Sequence, residues 1–186
     1  MPLRENISDR DLISMCIQGK DLGYTMLYQK YARRIYNSIS RLIAHTAEAE
    51  DILQETFFNA FNDPGRLQNV INFEAWVRRM AINKSISHLR KKKILFTDLG
   101  DMEPQAEADY NVRADELFDC RVEDVRKSIE ELSTGYKTIL NLYLFEKVSQ
   151  EEIAVMLGIS PATVRTQYHR AKKRILLSLK DKAYYE

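Results

Sequence analysis

The strongest constraint on the fold of this chain lies in one segment near its C-terminal end, SQEEIAVMLGISPATVRTQYHRAKKRI, which runs from Ser149 to Ile175. Apolar residues recur at helical spacing on both sides of Gly158, so the segment predicts two short helices joined by a tight turn. The second predicted helix ends in a run of positive charge. Such a pair is suited to reading DNA, and the much longer preceding part of the chain must then supply the rest of the function.

The details of this segment are typical of a helix-turn-helix, in which two helices pack closely across a turn. Ala154 provides the small residue that close packing needs, and Gly158 provides a turn residue that tolerates positive φ. Ser160 followed by Pro161 is a favourable cap and first position for the second helix. The apolar wedge between the helices is predicted to consist of Ile153, Leu157, Ile159 and Val164.

The outward face of the second helix is predicted to contact DNA. Arg side chains can bond guanine edges in the major groove, and Thr or His can contact bases or phosphates. The alternative is a plain helical hairpin with a charged, solvated face. The predicted DNA-binding residues are Ser160, Thr163, Arg165, Thr166, His169, Arg170 and Lys173.

Charge is distributed unevenly along the chain, although the formal net charge is only +1 at pH 7. The segments from Lys84 to Lys93 and from Arg165 to Arg174 each hold five basic residues and no acid, whereas the stretch from Asp98 to Asp124 is strongly acidic. A single basic cluster is usually a solvated helix end. Two clusters, each closing an apolar helical pattern, favour contact with phosphates.

Almost all the remaining sequence has helical period, and the hydrophobic content of 45% is ample for two cores. The predicted fold class is therefore all-α, with two small helical domains joined by an acidic linker and a helix-turn-helix in the C-terminal domain. The segment 96–120 lacks helical period and is predicted to be a tether, either purely flexible or also making contacts. The predicted domain bounds are 1–95 and 121–186.

The environment is predicted to be the cytoplasm. No run approaches the roughly 18 apolar residues that a membrane helix needs, and the segment from Met1 to Gln18 lacks the pattern of a secretory signal. Cys16 and Cys120 have no neighbouring Cys or His at ligand spacing, so both are predicted to be reduced and partly buried, with no metal site.

Enzymatic chemistry is disfavoured by the motifs that are missing. The sequence has no phosphate loop, no nucleophile elbow and no paired catalytic carboxylates. A four-helix carboxylate metal protein would need Glu-x-x-His pairs, and none occurs near His45, His88 or His169. No cofactor is predicted.

Three segments, in order, resemble bacterial RNA polymerase sigma factors of the extracytoplasmic-function (ECF) type of the sigma-70 family. LYQKYARRIYNSISRLI followed by AEDILQETFFNAF resembles the first conserved region and the core-binding helix after it. FEAWVRRMAINKSISHLRKKK resembles the helix that handles the minus-ten promoter element. EELSTGYKTILNLYLFEKVSQEEIAVMLGISPATVRTQYHRAKKRI resembles the minus-thirty-five domain. The resemblance covers nearly the whole chain, and the absence of a large extra domain between the two units distinguishes this type from the primary sigma factors.

For the helix matching 49–61, the resemblance implies docking on the clamp helices of the largest subunit of core RNA polymerase. Its polar residues lie off the predicted buried stripe and can pair with basic groups of a partner, although bare carboxylates are usually only solvated. Phe58 also lies off the stripe and can act as an aromatic anchor. The predicted polymerase-binding residues are Asp51, Gln54, Glu55 and Phe58.

The resemblance implies that the helix following Phe73 binds the melted minus-ten element through phosphates and opened bases. The predicted residues there are Arg78, Arg79, Asn83, Lys84 and His88, while Phe73 and Trp76 are predicted to belong to the core. In the family, the preceding loop captures a base flipped out of the non-template strand. Here the loop, 62–72, is polar, and no residue in it defines a pocket.

In the C-terminal domain the resemblance implies base and phosphate contacts at the minus-thirty-five element by Arg165, Thr166, His169 and Arg170, with Lys172, Lys173 and Arg174 serving the DNA backbone. The family often has Pro where Ser133 stands, and Ser is predicted to cap the following helix equally well. The acidic linker is expected to thread through polymerase toward the RNA exit path.

The expected function is a transcription initiation factor that binds core RNA polymerase and promoter DNA. Anti-sigma factors are usual partners in the family, so one is expected here. The alternative is a stand-alone helix-turn-helix repressor or activator whose N-terminal bundle serves for dimerisation or sensing. A dimeric repressor should bind a palindromic duplex alone, whereas a sigma factor should do little without core polymerase.

Overall fold

The structure, a computed structural model, describes residues 7–92 and 122–183, with side chains as far as Leu179. These residues form nine α-helices and no strand, which confirms the all-α prediction. The predicted tether 96–120, which includes Cys120, lies outside the described residues. The chain divides into two compact units, with the division after His88. The helices are α1 (Asp9–Ile17), α2 (Asp21–Ser40), α3 (Thr46–Phe61), α4 (Pro64–Leu67), α5 (Phe73–Lys91), α6 (Val122–Glu130), α7 (Thr134–Leu144), α8 (Gln150–Leu157) and α9 (Pro161–Ala183).

The first unit begins with two helices that pack closely. The Ser8 hydroxyl accepts a hydrogen bond from the backbone N–H of Asp11, and the chain turns at Gly19 with φ of 71°. Gly23 on α2 is buried against α1, where an added Cβ would lie 2.7 Å from the carbonyl oxygen of Leu12. Cys16 is buried at this contact, and burial raises the pKa of its thiol to about 11, so the thiol stays protonated and unreactive.

We expect Gly23→Ala to lower the free energy of unfolding by up to about 2 kcal/mol. Alanine favours a helix by about 1 kcal/mol over glycine, but forcing a methyl group against the α1 backbone costs about 1–3 kcal/mol. Urea unfolding followed by circular dichroism would measure the change. Gly65→Ala is the matched control, since its added Cβ meets only Asp63 Oδ1, at 3.6 Å. Equal stability of the two variants would contradict the close packing of α1 on α2.

Asp9 ties α1 to α2 through hydrogen bonds from two residues. Lys30 Nζ lies 2.7 Å from Asp9 Oδ1, and the Tyr31 hydroxyl donates to Asp9 Oδ2 at 2.5 Å. Partial burial alone would raise the pKa of Asp9, but the hydrogen bonds from Lys30 and Tyr31 together outweigh burial and hold the pKa below its usual 3.8. Asp9 therefore stabilises the folded unit in its ionised form.

Because the folded pKa of Asp9 lies below the unfolded value, its contribution is present above pH 3.8 and is lost as the pH falls through the folded value. We expect Asp9→Asn to lower the free energy of unfolding by about 1–2 kcal/mol at pH 7, with a smaller difference from wild type below pH 3. Urea unfolding between pH 2.5 and 7 would measure this. Asp21→Asn makes the same change on α2 at an exposed residue and should have little effect. A difference that does not depend on pH would contradict the argument.

Aromatic contacts fill the space between α2, α3 and α5. Tyr24 packs edge-on against Phe61 with ring centroids 5.1 Å apart, and Tyr31 lies 5.6 Å from Phe73. Phe73 also stacks on Phe61 at 6.2 Å. Such pairs stabilise a core beyond the area they bury, and here they fix which faces of α3 and α5 point outward.

The loop predicted over 62–72 contains a helical turn that sequence reasoning missed. The Asp63 side chain accepts from the N–H of Arg66, Pro64 occupies the first helical position, and Leu67 is buried. An Asp-Pro pair followed by a single apolar residue is the signal that marks such a turn. The segment is therefore anchored to the first unit at Leu67.

The second unit packs α6, α7 and α8 against α9. Its core includes Leu132, Tyr136, Leu140 and Ala171, with Ile129 and Ile175 partly buried against them. Two sequence predictions are wrong here. The helical period of the sequence also predicts Tyr143 and Leu144 in this core, but each is 37% exposed at the C-terminal end of α7. Ser133 stands at the N-cap of α7, but its hydroxyl makes no cap hydrogen bond and is buried without a partner.

Candidate nucleic-acid and protein interfaces

The turn between α8 and α9 has the geometry that the sequence predicts. Ser149 caps α8 by accepting from the N–H of Glu152 at 3.2 Å, and Gly158 ends the helix with φ of 69° in the left-handed region. The N–H of Ile159 then bonds the carbonyl of Ala154 at 3.1 Å. This hydrogen bond satisfies a carbonyl at the helix end and directs the chain into α9.

The start of α9 is also capped as predicted. The Ser160 hydroxyl accepts from the N–H of Thr163 at 3.0 Å and lies 2.8 Å from the Thr163 hydroxyl. Pro161 takes the first helical position. Ser160 and Thr163 therefore hold the helix start, where the positive end of the helix dipole favours an anion such as phosphate.

The wedge between the two helices is buried, which fixes the rotation of α9. Ile153, Leu157 and Val164 are at most 3% exposed, and Ala154 allows the close contact. Ile159 is only half-buried. Gln167 is also buried on α9, with its side-chain oxygen unpartnered, and sequence reasoning missed it because an amide in a basic helix suggests an exposed residue.

The outward face of α9 carries the predicted DNA-binding side chains. Arg165, His169 and Lys173 are exposed, and Thr166 and Arg170 are half-buried. Arg165 makes no ion pair with any residue in the described ranges, so its guanidinium can bond a base edge without losing a partner. Burial, with a smaller contribution from Tyr143, raises the pKa of the neighbouring Tyr168, so its hydroxyl stays neutral at pH 7.

In the first unit, α3 presents the predicted polar face to solvent. Asp51, Gln54 and Glu55 are exposed, and Phe58 is 65% exposed. Residues on the opposite side of the helix enter the core, namely Ile52, Leu53, Phe57 and Ala60. An open groove runs beside this face between α2 and α3, lined by Tyr28, Ala32, Arg33, Tyr36, Glu50, Leu53 and Gln54. The α3 face thus combines an exposed aromatic ring with acids, which suits a protein partner that carries basic side chains.

The predicted cations of α5 are more engaged than the sequence suggests. Lys84 Nζ lies 2.6 Å from Glu55 Oε1, and His88 Nε2 lies 2.9 Å from Glu48 Oε2. Arg78 pairs with Glu74 one turn earlier on the same helix. Sequence reasoning placed Lys84 and Glu55 on separate surfaces, whereas the structure joins them, and it assigned no role to Glu48 or Glu74.

The other two predicted α5 residues differ in exposure. Asn83 is exposed on the helix surface, and Arg79 is half-buried and has an interaction within the protein. Glu74 also accepts from Arg34 of α2 at 2.9 Å, so it is shared by two guanidinium groups. The basic character of this face is consequently moderated by neighbouring acids.

A concavity of about 450 Å³ lies between α4 and the start of α5, where sequence reasoning could define no pocket. Trp76, predicted to be in the core with Phe73, is only half-buried and lines this concavity. Asn72 uses its side-chain oxygen to cap α5, and Asn69 donates to the carbonyl of Gly65. The Asn69 oxygen and the Asn72 amide N–H groups have no partner among the described residues. The lining residues are Gly65, Arg66, Asn69, Val70, Ile71, Asn72 and Trp76.

In the part of the chain that the structure describes, no helix is long and apolar enough to cross a bilayer. The same part holds no cluster of three His, Cys, Asp or Glu side chains able to hold a metal ion.

A helical unit with an exposed acidic and aromatic face, together with a helix-turn-helix unit, defines the class of DNA-binding transcription factors. Two family models match: Sigma-70 region 2 over residues 27–94, and Sigma-70, region 4, over residues 123–175. The chain belongs to the sigma-70 family of bacterial RNA polymerase sigma factors, and within it to the ECF type. Members of this family are non-enzymatic factors of transcription initiation.

Individual relatives are similar in sequence to this chain over most of its length. RNA polymerase sigma factor SigV of Bacillus subtilis is 32% identical over 137 residues, covering 72% of this chain and 78% of SigV. ECF RNA polymerase sigma factor SigW of the same organism is 29% identical over 173 residues, covering 88% and 92%. A crystal structure of the sigma factor RpoE in complex with the anti-sigma factor NepR from Bartonella quintana has a similar fold, with a TM-score of 0.51 at 19% identity over 84% of this chain and 96% of that one.

Proposed function

We propose that this protein directs core RNA polymerase to specific promoters, reading the minus-thirty-five element as duplex and capturing the minus-ten element as melted strand. In this proposal residues 1–95 bind polymerase and the minus-ten element, 96–120 form the linker, and 121–186 bind the minus-thirty-five element. The observation that carries it is the exposed face of α3, because an acidic helix with an outward aromatic residue suits a protein partner and would repel DNA.

Polymerase docking is assigned to Asp51, Gln54, Glu55 and Phe58, with the clamp helices of the largest subunit as their partner. The exposed Phe58 can insert between the partner's side chains and lose its contact with water. The carboxylates around it can pair with Arg or Lys of the clamp. Since these pairs are charged, binding should weaken as salt rises.

Duplex reading is assigned to α9. The wedge and caps leave Arg165, Thr166, His169 and Arg170 on one side of the helix, which is the arrangement that a major groove accepts. Arg165 is the candidate for a bidentate bond to guanine because it is exposed and unpaired among the described residues. Ser160 and Thr163 at the helix start, and Lys173 near the middle of α9, are assigned to phosphates.

Strand capture is assigned to α5 and the concavity before it. Asn83, Lys84 and His88, with Arg78 and Arg79, would hold the phosphates and bases of the opened strand. A flipped base can lie against the half-buried Trp76, and the unpartnered polar atoms of Asn69 and Asn72 can bond its edge. The contacts with the captured base would offset the free-energy cost of unstacking it.

We expect Asn69→Ala to slow promoter opening about tenfold, since losing a hydrogen bond to the captured base costs roughly 1.4 kcal/mol. Gln68→Ala is the matched control, because Gln68 is an exposed neighbour that does not line the concavity. Permanganate footprinting of the minus-ten region would measure opening. Equal opening by the two variants would remove the concavity from the proposal.

Partners and location follow from this role. An anti-sigma factor is a proposed partner, supported by the crystal structure of the similarly folded RpoE in complex with the anti-sigma factor NepR. It would have to cover the α3 or α9 surface to block initiation. The proposed location is the cytoplasm, where core polymerase and promoter DNA are found. The protein would act by binding alone, without a cofactor.

Core dependence tests the proposal directly. The protein should co-elute with purified bacterial core polymerase in size-exclusion chromatography, and specific promoter binding should require the complex. Tight binding of the protein alone to a palindromic duplex, with no co-elution, would instead indicate a self-contained repressor or activator.

A further inference from the structure

We propose that Glu55 couples polymerase binding to strand binding, because its carboxylate neutralises Lys84 until a polymerase cation engages that carboxylate. The proposal rests on the proposed function, since it takes the α3 face as the polymerase surface and α5 as the strand surface. It adds an inhibitory contact between the two surfaces, and it predicts that the unbound protein holds single-stranded DNA weakly.

The geometry of the pair is asymmetric. Lys84 Nζ lies 2.6 Å from Glu55 Oε1, and the Lys84 side chain is only 18% exposed while that of Glu55 is 62% exposed. The carboxylate therefore presents its outer side to an arriving partner and its inner side to the lysine. The lysine has to leave or share this bond before it can bind a phosphate.

Among the described residues, the ion pair of Glu55 with Lys84 joins the predicted polymerase surface to the predicted strand surface. His88 and Arg78 are also paired with acids, but their partners Glu48 and Glu74 lie outside the predicted polymerase-binding set. When a polymerase Arg or Lys bonds the outer oxygen of Glu55, the negative potential at Lys84 falls, and a phosphate competes more effectively for the lysine.

Linkage makes the effect reciprocal. If polymerase raises the affinity of Lys84 for the strand, then strand binding raises the affinity of Glu55 for polymerase by the same factor. The pair is partly exposed, so the coupling should be near the lower end of the usual range, about fivefold. Such coupling would make the protein bind single-stranded DNA more tightly when it is bound to polymerase than when it is free.

The test uses the full chain without polymerase. Glu55→Gln removes the charge and imitates a carboxylate neutralised by a partner. Fluorescence anisotropy with a labelled single-stranded oligothymidylate should show about fivefold tighter binding than wild type at low salt. The slope of log K against log salt should also steepen by about 0.7, which corresponds to one additional phosphate contact.

Three further variants distinguish an effect of the Glu55–Lys84 pair from a general effect of net charge. Glu50→Gln makes the same chemical change on the same helix, at an exposed acid that has no ion pair within the described ranges, and it should leave the slope unchanged. Lys84→Met should bind no more tightly than wild type. Adding Glu55→Gln to Lys84→Met should then produce no gain.

Each result has a definite meaning. A gain from Glu55→Gln that needs Lys84 supports the coupling. An equal gain from Glu50→Gln, a gain that persists without Lys84, or no gain at all overturns it. Failure of the proposed function is a separate result, because it would appear as an absence of polymerase-dependent promoter binding by the wild-type protein.

Discussion

Replacing Asp51 with Lys is expected to weaken binding to core polymerase by more than about a hundredfold while the helical unit stays folded. Breaking a charge pair at an interface costs about 2–5 kcal/mol, and a reversed charge adds repulsion. Asp51 is exposed, lies on the side of α3 away from Ile52 and Leu53, and has no ion pair in the part of the chain that the structure describes. The reversal should therefore act on the partner and leave the core unchanged.

Fluorescence anisotropy of the labelled protein against purified core polymerase would measure this loss, with thermal unfolding as the check on folding. The double variant Asp51→Lys with Glu55→Lys should abolish binding, although it also removes the Glu55 bond to Lys84. Glu123→Lys on α6 has the same effect on net charge at an exposed residue of the other unit, so it controls for general electrostatics. Retained binding by the Asp51 variant would remove α3 as the docking surface.

Replacing Arg165 with Ala is expected to cost about 1–3 kcal/mol at one base pair of the minus-thirty-five element and to relax specificity there. Arg165 is exposed on the outward side of α9, while Val164 beside it is fully buried and sets the rotation of the helix. The truncation should therefore leave the fold intact. All other positions of the element should keep their discrimination.

The measurement is polymerase-dependent binding to promoters that each carry one substitution in the minus-thirty-five element. Lys173→Ala is the contrasting variant. Because Lys173 is assigned to a phosphate, its replacement should weaken binding about equally on all sequences. It should also reduce the slope of log K against log salt by about 0.9. If Arg165→Ala behaves in the same way, then Arg165 does not read a base.

The helix-turn-helix was predictable because its determinants are local. Ala154, Gly158 and Ser160 lie within a few residues of one another, and each meets one geometric requirement of the motif. No contact with a distant residue changes this local geometry. The exposed set on α3 was predictable for a similar reason. Once Ile52, Leu53 and Phe57 are assigned to the core, helical period alone places Asp51, Glu55 and Phe58 outside.

The contacts between helices were not predictable, because they depend on how the helices pack. Glu55 and Lys84 are 29 residues apart, and only the packed unit brings their charged atoms together. Ser133 illustrates the same limit at a smaller scale. Its position before α7 suggests a cap, but its hydroxyl lies buried without a hydrogen bond. Leu144 extends the apolar pattern of α7, yet it is 37% exposed at the end of the helix.

Run-off transcription with purified bacterial core polymerase tests directly whether this protein confers promoter specificity on polymerase. A library of promoter fragments would be transcribed with and without the protein. We expect specific start sites that appear only with the protein and disappear with Asp51→Lys. Start sites that do not depend on the protein, or the absence of any initiation with it, would contradict the account.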